Sequence, residues 1–408
     1  MNKTTLRSYA KLIAHTGVNI QKGQPVVITA EPDQYEFVNI LAEECYRAGA
    51  GQVRVEWSSQ TLLKLSIRHS TQKVLETTED WEIEKMKHRV KTLPAMIYLE
   101  SSDPDGLAGI NQQKLVKVSQ KRRAVMKPFR DEMENKYQWC IAAVPGKAWA
   151  KKLFPEDRTS VAVEKLWKAI IKCARAEGDG IENWKKHNAD LQSRCDYLNS
   201  LGLTGLRYRS SNGTDFKVGL IPDGVFAGGS DKIPGKDVEY NPNIPSEEIF
   251  TSPMRGVAEG IVYSTKPLIF QGTVIDNFSI RFENGKAVEA HAEKNEELLN
   301  KMLTMDEGAS YLGECALVPY NSPINESGIL FRNTLFDENA VCHLAVGFGF
   351  SGCIKDFEKY TLKECQEKGV NDSMIHVDFM IGSEDLDIFG VLPNGEEIQL
   401  FKDGNWAF

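Results

Sequence analysis

The closest chemically suggestive spacing in the chain is His376-Val377-Asp378, set in the apolar run Met374-Ile375-His376-Val377-Asp378-Phe379-Met380-Ile381. The run reads as a β-strand, and residues two apart on a strand project from one face. An imidazole and a carboxylate would then leave an apolar strand side by side, either as ligands for a divalent cation or as a core histidine satisfied by its neighbouring aspartate. His343 sits between Ala340-Val341-Cys342 and Leu344-Ala345-Val346-Gly347, where it could be a ligand or a buried histidine bonded to backbone. Glu314 interrupts another apolar string, Tyr311-Leu312-Gly313-Glu314-Cys315-Ala316-Leu317-Val318. A lone carboxylate there is costly unless paired or metal-bound. Glu247 and Glu248 follow Ser246, which could instead cap a short helix whose first turn favours acids. Hard oxygen and imidazole groups arriving from separate segments are what a two-metal hydrolytic centre requires. One of them must bridge ions about 3.5–4 Å apart.

These residues need a scaffold, and the chain offers two textures. Over the first 150 or so residues, short apolar runs (Pro25-Val26-Val27-Ile28, Val53-Arg54-Val55, Ala95-Met96-Ile97-Tyr98-Leu99 and Cys140-Ile141-Ala142-Ala143-Val144) alternate with helical-period stretches such as 35–48. That alternation predicts a mostly parallel sheet with flanking helices, a Rossmann-like or flavodoxin-like α/β domain. No glycine-rich phosphate loop follows any of these strands, which argues against a nucleotide-binding unit. The stretch 161–201 has a helical period, with a break expected around Gly178 and Gly180. After Gly202 short strands with glycine turns dominate. They include a hairpin signal at Asn284-Gly285, and a helix is expected over 292–303. We therefore expect residues 1–178 to form the α/β domain. Residues 179–408 should form an α+β catalytic domain with largely antiparallel sheet, carrying the metal site.

The length suffices for two cores. A net charge of −8 with interspersed basic residues lacks the basic face of a nucleic-acid binder. No run is apolar enough to span a membrane, and the amino-terminal segment reads as an amphipathic helix rather than a secretory signal. The eight cysteines form no C-x-x-C pair, which points away from a structural zinc site and toward a reducing, cytoplasmic setting.

Taken in order, the strings Pro245-Ser246-Glu247-Glu248-Ile249-Phe250-Thr251-Ser252-Pro253, Gly313-Glu314-Cys315-Ala316-Leu317-Val318, Phe336-Asp337-Glu338-Asn339-Ala340-Val341-Cys342-His343-Leu344-Ala345-Val346-Gly347 and His376-Val377-Asp378-Phe379-Met380-Ile381-Gly382-Ser383 resemble successive motifs of one family. That family is the thermophilic-type metallo-aminopeptidases: aminopeptidase T, aminopeptidase S and PepS. Lys22-Gly23-Gln24-Pro25-Val26 and Asp403-Gly404-Asn405-Trp406-Ala407-Phe408 extend the resemblance over nearly the whole chain. It implies a dinuclear hydrolase that releases N-terminal residues from short peptides. Two divalent ions (zinc, cobalt or manganese) would be held by Glu248, Glu314, His343, His376 and Asp378, with Glu314 bridging. It also implies a homodimer. Where the family carries a tyrosine thought to assist at the scissile carbonyl, this chain has Phe350, and a phenyl ring can neither donate a hydrogen bond nor a proton. A catalytically impaired metal- or peptide-binding homologue is therefore the alternative expectation. Glu247 is a candidate general base.

Overall fold

The computed structural model describes residues 1–408. The chain forms two compact units, one of residues 1–186 with 230–245, the other of 187–229 with 246–408. This differs from a single boundary after residue 178. The division falls inside one continuous helix, Gly180–Ser200, and a helix carries no local mark of where its tertiary partners change.

In the first unit β1 (Pro25–Ala30), β2 (Gln52–Trp57), β3 (Ala95–Glu100) and β4 (Trp139–Ala143) pair in parallel in the order β2-β1-β3-β4, and the short strand Asn243–Ile244 adds to β4. This is the strand order of flavodoxin-like doubly wound sheets. β1 and β3 are buried along most of their length, as strands covered on both faces must be. The crossover helix Tyr35–Arg47 turns Phe37, Val38, Leu41 and Cys45 inward at helical spacing. The segment 230–245 returns to this unit because its last strand extends the sheet.

The second unit is largely antiparallel. Its larger, nine-stranded sheet includes β5 (Gly205–Arg209) and β6 (Asp215–Leu220). The smaller sheet is built on β7 (Ile249–Thr251). Beyond it come β8 (Pro253–Tyr263), β9 (Thr273–Glu283) and β10 (Lys286–Lys294), which belong to the larger sheet. The helix expected over 292–303 begins only at Glu296. The preceding alanine- and glutamate-rich residues pair with β9 instead, with Phe278 opposite Ala292 and Ile280 opposite Ala290. No helix forms behind Ser246, because the chain enters β7 directly.

The smaller sheet has five strands: Ala227–Gly228, β7, β11 (Leu312–Leu317), β12 (His343–Gly347) and β13 (His376–Met380), all antiparallel. One face carries Ile249, Cys315, Leu317, Leu344, Val346 and Phe379 into the hydrophobic core of the unit. The other face carries the polar residues described next.

Candidate metal centre

Strand register brings the residues of this second face together. Glu314 lies opposite Ala345, and Ala345 opposite Asp378, so two carboxylates flank a methyl group in one cross-strand row. One row along, Ala316 lies opposite His343. On the other side Gly347 lies opposite His376. Period-two alternation then places Glu314, His343, His376 and Asp378 on one surface. Phe250, opposite Ala316, shares that surface, as does Glu248, two residues before it at the mouth of β7. Two glycines permit this approach. A side-chain carbon on Gly313, at the irregularity in β11, would lie 2.1 Å from the Phe348 carbonyl oxygen, so only glycine fits there. Gly347 adopts φ +104°, and a side-chain carbon on it would lie 2.1 Å from the Ile375 carbonyl oxygen.

Two triads result. Glu248, Glu314 and His343 each present a ligand atom within 4.8 Å of the others, and so do Glu314, His376 and Asp378. Glu314 belongs to both. His343 is fully buried, its Nε2 3.4 Å from Glu248 Oε2 and its Nδ1 3.4 Å from the Val341 carbonyl oxygen. His376 Nδ1 lies 2.7 Å from the Phe348 carbonyl oxygen, so an N–H there donates to it and turns Nε2 toward the carboxylates. His376 Nε2 is 3.1 Å from Glu314 Oε2 and 3.1 Å from Asp378 Oδ1. Its geometry serves a hydrogen bond to Glu314, which leaves the buried Asp378 Oδ1 without a hydrogen-bond partner.

The electrostatics are those of crowded anions. Burial, together with the charges of Glu314 and Asp378, pushes the Glu248 carboxyl well above the usual range. Burial would lower the His376 imidazole, but Asp378 and Glu314 outweigh it and raise the value. Burial would raise Asp378; His376 and His343 hold it down. Gathering such groups away from water is costly without compensating cations. The buried Asp378 oxygen, which has an ion-pair contact but no hydrogen bond, and the hard oxygen and imidazole donors fit divalent ions bound at about 2.0–2.2 Å. Backbone carbonyls orient both imidazoles, as ligating histidines require.

One further acid belongs here that the sequence reading passed over. The turn that carries Glu338 packs against β13, and burial with the charges of Asp378, Glu248 and Glu314 pushes the Glu338 carboxyl well above its usual range. It lies in a single 3-10 turn, Glu338–Ala340, between Asp337 and Asn339, where no strand or helix period singles it out. The signal available was its position inside the same motif string as His343. Glu247, by contrast, belongs to neither triad. It is buried, its N–H donates to Asn339 Oδ1 over 2.8 Å, and its carboxylate lies 3.8 Å from His187 Nε2. Phe350 does lie at the centre: its ring centroid is 4.9 Å from that of His376 and 5.6 Å from that of Phe250.

Comparison with known proteins agrees with this architecture. The family model described as thermophilic metalloprotease (M29) matches residues 2–406. Aminopeptidase AmpS of Bacillus subtilis (strain 168) is 38% identical over 405 residues, covering 99% of this chain and 98% of the relative. Aminopeptidase T of Thermus thermophilus is 36% identical over 407 residues, covering 99% of each. The solved structure of wild-type AmpT from Thermus thermophilus superposes with a TM-score of 0.91 at 35% identity, covering 100% of both chains. A match of this extent in sequence, together with a shared fold, means that the chain belongs to the thermophilic metalloprotease (M29) family.

Proposed function

We propose that this chain is a two-metal aminopeptidase that releases N-terminal residues from short peptides. The observation that carries the reading is the sharing of Glu314 between the two ligand triads. Glu248 and His343 would complete one ion's ligands, His376 and Asp378 the other's, and Glu338 adds a fourth carboxylate to the cluster. Zinc, cobalt or manganese suits such oxygen and imidazole donors. When bound, such ions polarise a scissile carbonyl, anchor the peptide α-amine and lower the pKa of a bound water.

The chain's own residues set the rest. The His376 hydrogen bond to the Phe348 carbonyl fixes the ring and its tautomer. The Phe350 ring lies beside His376 and is itself flanked by Phe250 and Phe348, with centroids 5.6 and 6.1 Å away, a surface suited to an apolar N-terminal side chain. Glu247 is engaged with His187 and Asn339, which argues for a supporting role rather than that of general base.

Phe350 favours a second reading, a metal- or peptide-binding homologue whose turnover is impaired, because no hydroxyl stands at that position. A peptidase assay on short peptides with added cobalt, zinc or manganese separates the two. Turnover that a chelator abolishes and metal restores supports the enzyme. Metal binding without turnover supports the binder.

The working form we infer is a cytoplasmic homodimer. All eight cysteines are free and buried, which suits a reducing compartment, and no helix is long and apolar enough to cross a membrane. The first unit exposes large apolar side chains between residues 35 and 81, including Trp57, Leu62, Leu63 and Leu65. Exposed apolar side chains of this number suit a second copy of the chain.

A further inference from the structure

Asn339 is wholly buried and uses both ends of its side-chain amide. Its Oδ1 accepts the Glu247 N–H over 2.8 Å. Its Nδ2 donates to the Leu335 carbonyl over 3.0 Å and to Glu338 Oε1 over 3.3 Å. Only one orientation of the amide satisfies all three partners, because the backbone N–H needs an acceptor and the two oxygens need donors. The residues it joins are distant in sequence. One is the segment immediately before Glu248; the other is the turn that carries Glu338.

The segment before Glu248 is tied to its surroundings through side chains. Glu248 precedes a strand of three residues, Ile249–Thr251, and the backbone just before it is bonded through side chains. Asn339 takes the Glu247 N–H, and His187 Nε2 lies 2.8 Å from the Ser246 carbonyl oxygen and 3.8 Å from Glu247 Oε1. The remaining candidate ligands lie within strands of the sheet, whereas Glu248 lies just outside one. A neutral amide is also suited to this location. It donates toward the acidic cluster without adding charge, whereas an aspartate would add a further carboxylate and remove both donors.

We propose that Asn339 is the positioning residue of the centre, its side-chain amide locking the backbone before Glu248 to the turn that carries Glu338, so that two acids of the cluster keep a fixed separation. The proposal rests on the two-metal reading above. It goes beyond that reading in assigning to an uncharged residue outside both triads the task of holding the cage in register. Removing the amide frees one side of the cage, so it costs metal affinity before it costs peptide binding.

The test is titration of the metal-free full chain with cobalt, followed by visible absorption, for the wild type, Asn339→Asp and Asn339→Ala. Outer partners of metal ligands are worth about 10–100-fold in affinity, and that is the weakening expected for both variants. At limiting cobalt kcat should fall with KM for the peptide unchanged, and excess cobalt should restore it. Variants that fold and bind cobalt as the wild type does overturn the proposal alone. A wild type that binds no cobalt overturns the two-metal reading with it. Should neither variant fold, amide hydrogen exchange on the wild type decides: cobalt should slow exchange at the Glu247 N–H, and an unchanged rate overturns the proposal.

Discussion

On the resemblance its motifs carry, Phe350 stands where a tyrosine is expected. Its ring packs against His376 and Phe250, and its backbone N–H donates to Ser252 Oγ over 2.8 Å. The ring position is therefore set by neighbours that a tyrosine would also satisfy. Phe350→Tyr adds one hydroxyl at the centre and changes little else. If the missing donor limits turnover, that variant should raise kcat on the order of 10²-fold, the scale of a single stabilising donor at a developing oxyanion. Steady-state kinetics on one short peptide would read the gain, and an unchanged kcat would remove Phe350 as the cause of any impairment. His343, His376, Asp378 and Glu314 were legible in the sequence because strands expose their pattern: a charged or imidazole group in an apolar run either costs energy or has a purpose. Glu338 and Asn339 were not legible. They lie in a polar turn, Asp337-Glu338-Asn339, where acids and amides are ordinary, and only the packing of that turn against β13 sets them beside the candidate site.

At the scale of elements, the smaller sheet works as a template whose register sets the spacing of the cluster. Ala345 stands between Glu314 and Asp378 in one cross-strand row, so a larger side chain there would press on both carboxylates. Ala345→Val puts two methyl groups there. Overpacking of this kind costs about 1–3 kcal/mol, and we expect cobalt affinity to fall roughly 10–100-fold, at 1.4 kcal/mol per decade, with the far-ultraviolet spectrum unchanged. Wild-type affinity in this variant would mean that the row does not line the site. The turns around this unit make a separate prediction. Asp385 accepts hydrogen bonds from Ser383 Oγ over 2.6 Å, the Ser211 N–H over 2.8 Å and Ser210 Oγ over 3.0 Å. The Ser211 and Ser383 contacts in particular hold its carboxyl well below the usual range. A carboxyl depressed in the folded state stabilises above its unfolded value near 3.8, and that contribution is lost as pH falls below it. Asp385→Asn should therefore flatten the acid limb of stability below about pH 4. At neutral pH it should cost about 1–2 kcal/mol, the lower end reflecting solvent screening. Urea melts at pH 3 and pH 7 would show it, and equal loss at both would contradict the assigned cause. The strands of both units were legible from alternation and β-branched content, while the onset of the helix Glu296–Leu303 was not. Its leading residues favour helix by composition, and pairing with β9 overrides that local preference.

At the scale of the molecule, two textures in the sequence correspond to two kinds of sheet, one parallel and covered, one antiparallel with a polar face. What the sequence withholds is the return of residues 230–245 to the first unit. The strand Asn243–Ile244 is two residues long, too short for a pattern, and its partner β4 lies a hundred residues earlier. The exposed apolar side chains Leu62 and Trp81 of the first unit are where the proposed dimer is tested. Leu62→Asp with Trp81→Asp should shift light-scattering mass from twice the chain's mass to one, and an unchanged mass would move the interface elsewhere. The most direct measurement of the central claim is anomalous scattering at the metal's absorption edge, from crystals of the cobalt-loaded protein. The account predicts two peaks about 3.5–4 Å apart, both within bonding distance of Glu314, one also bonded to Glu248 and His343 and the other to His376 and Asp378. A single peak, or a pair that Glu314 does not join, would contradict it.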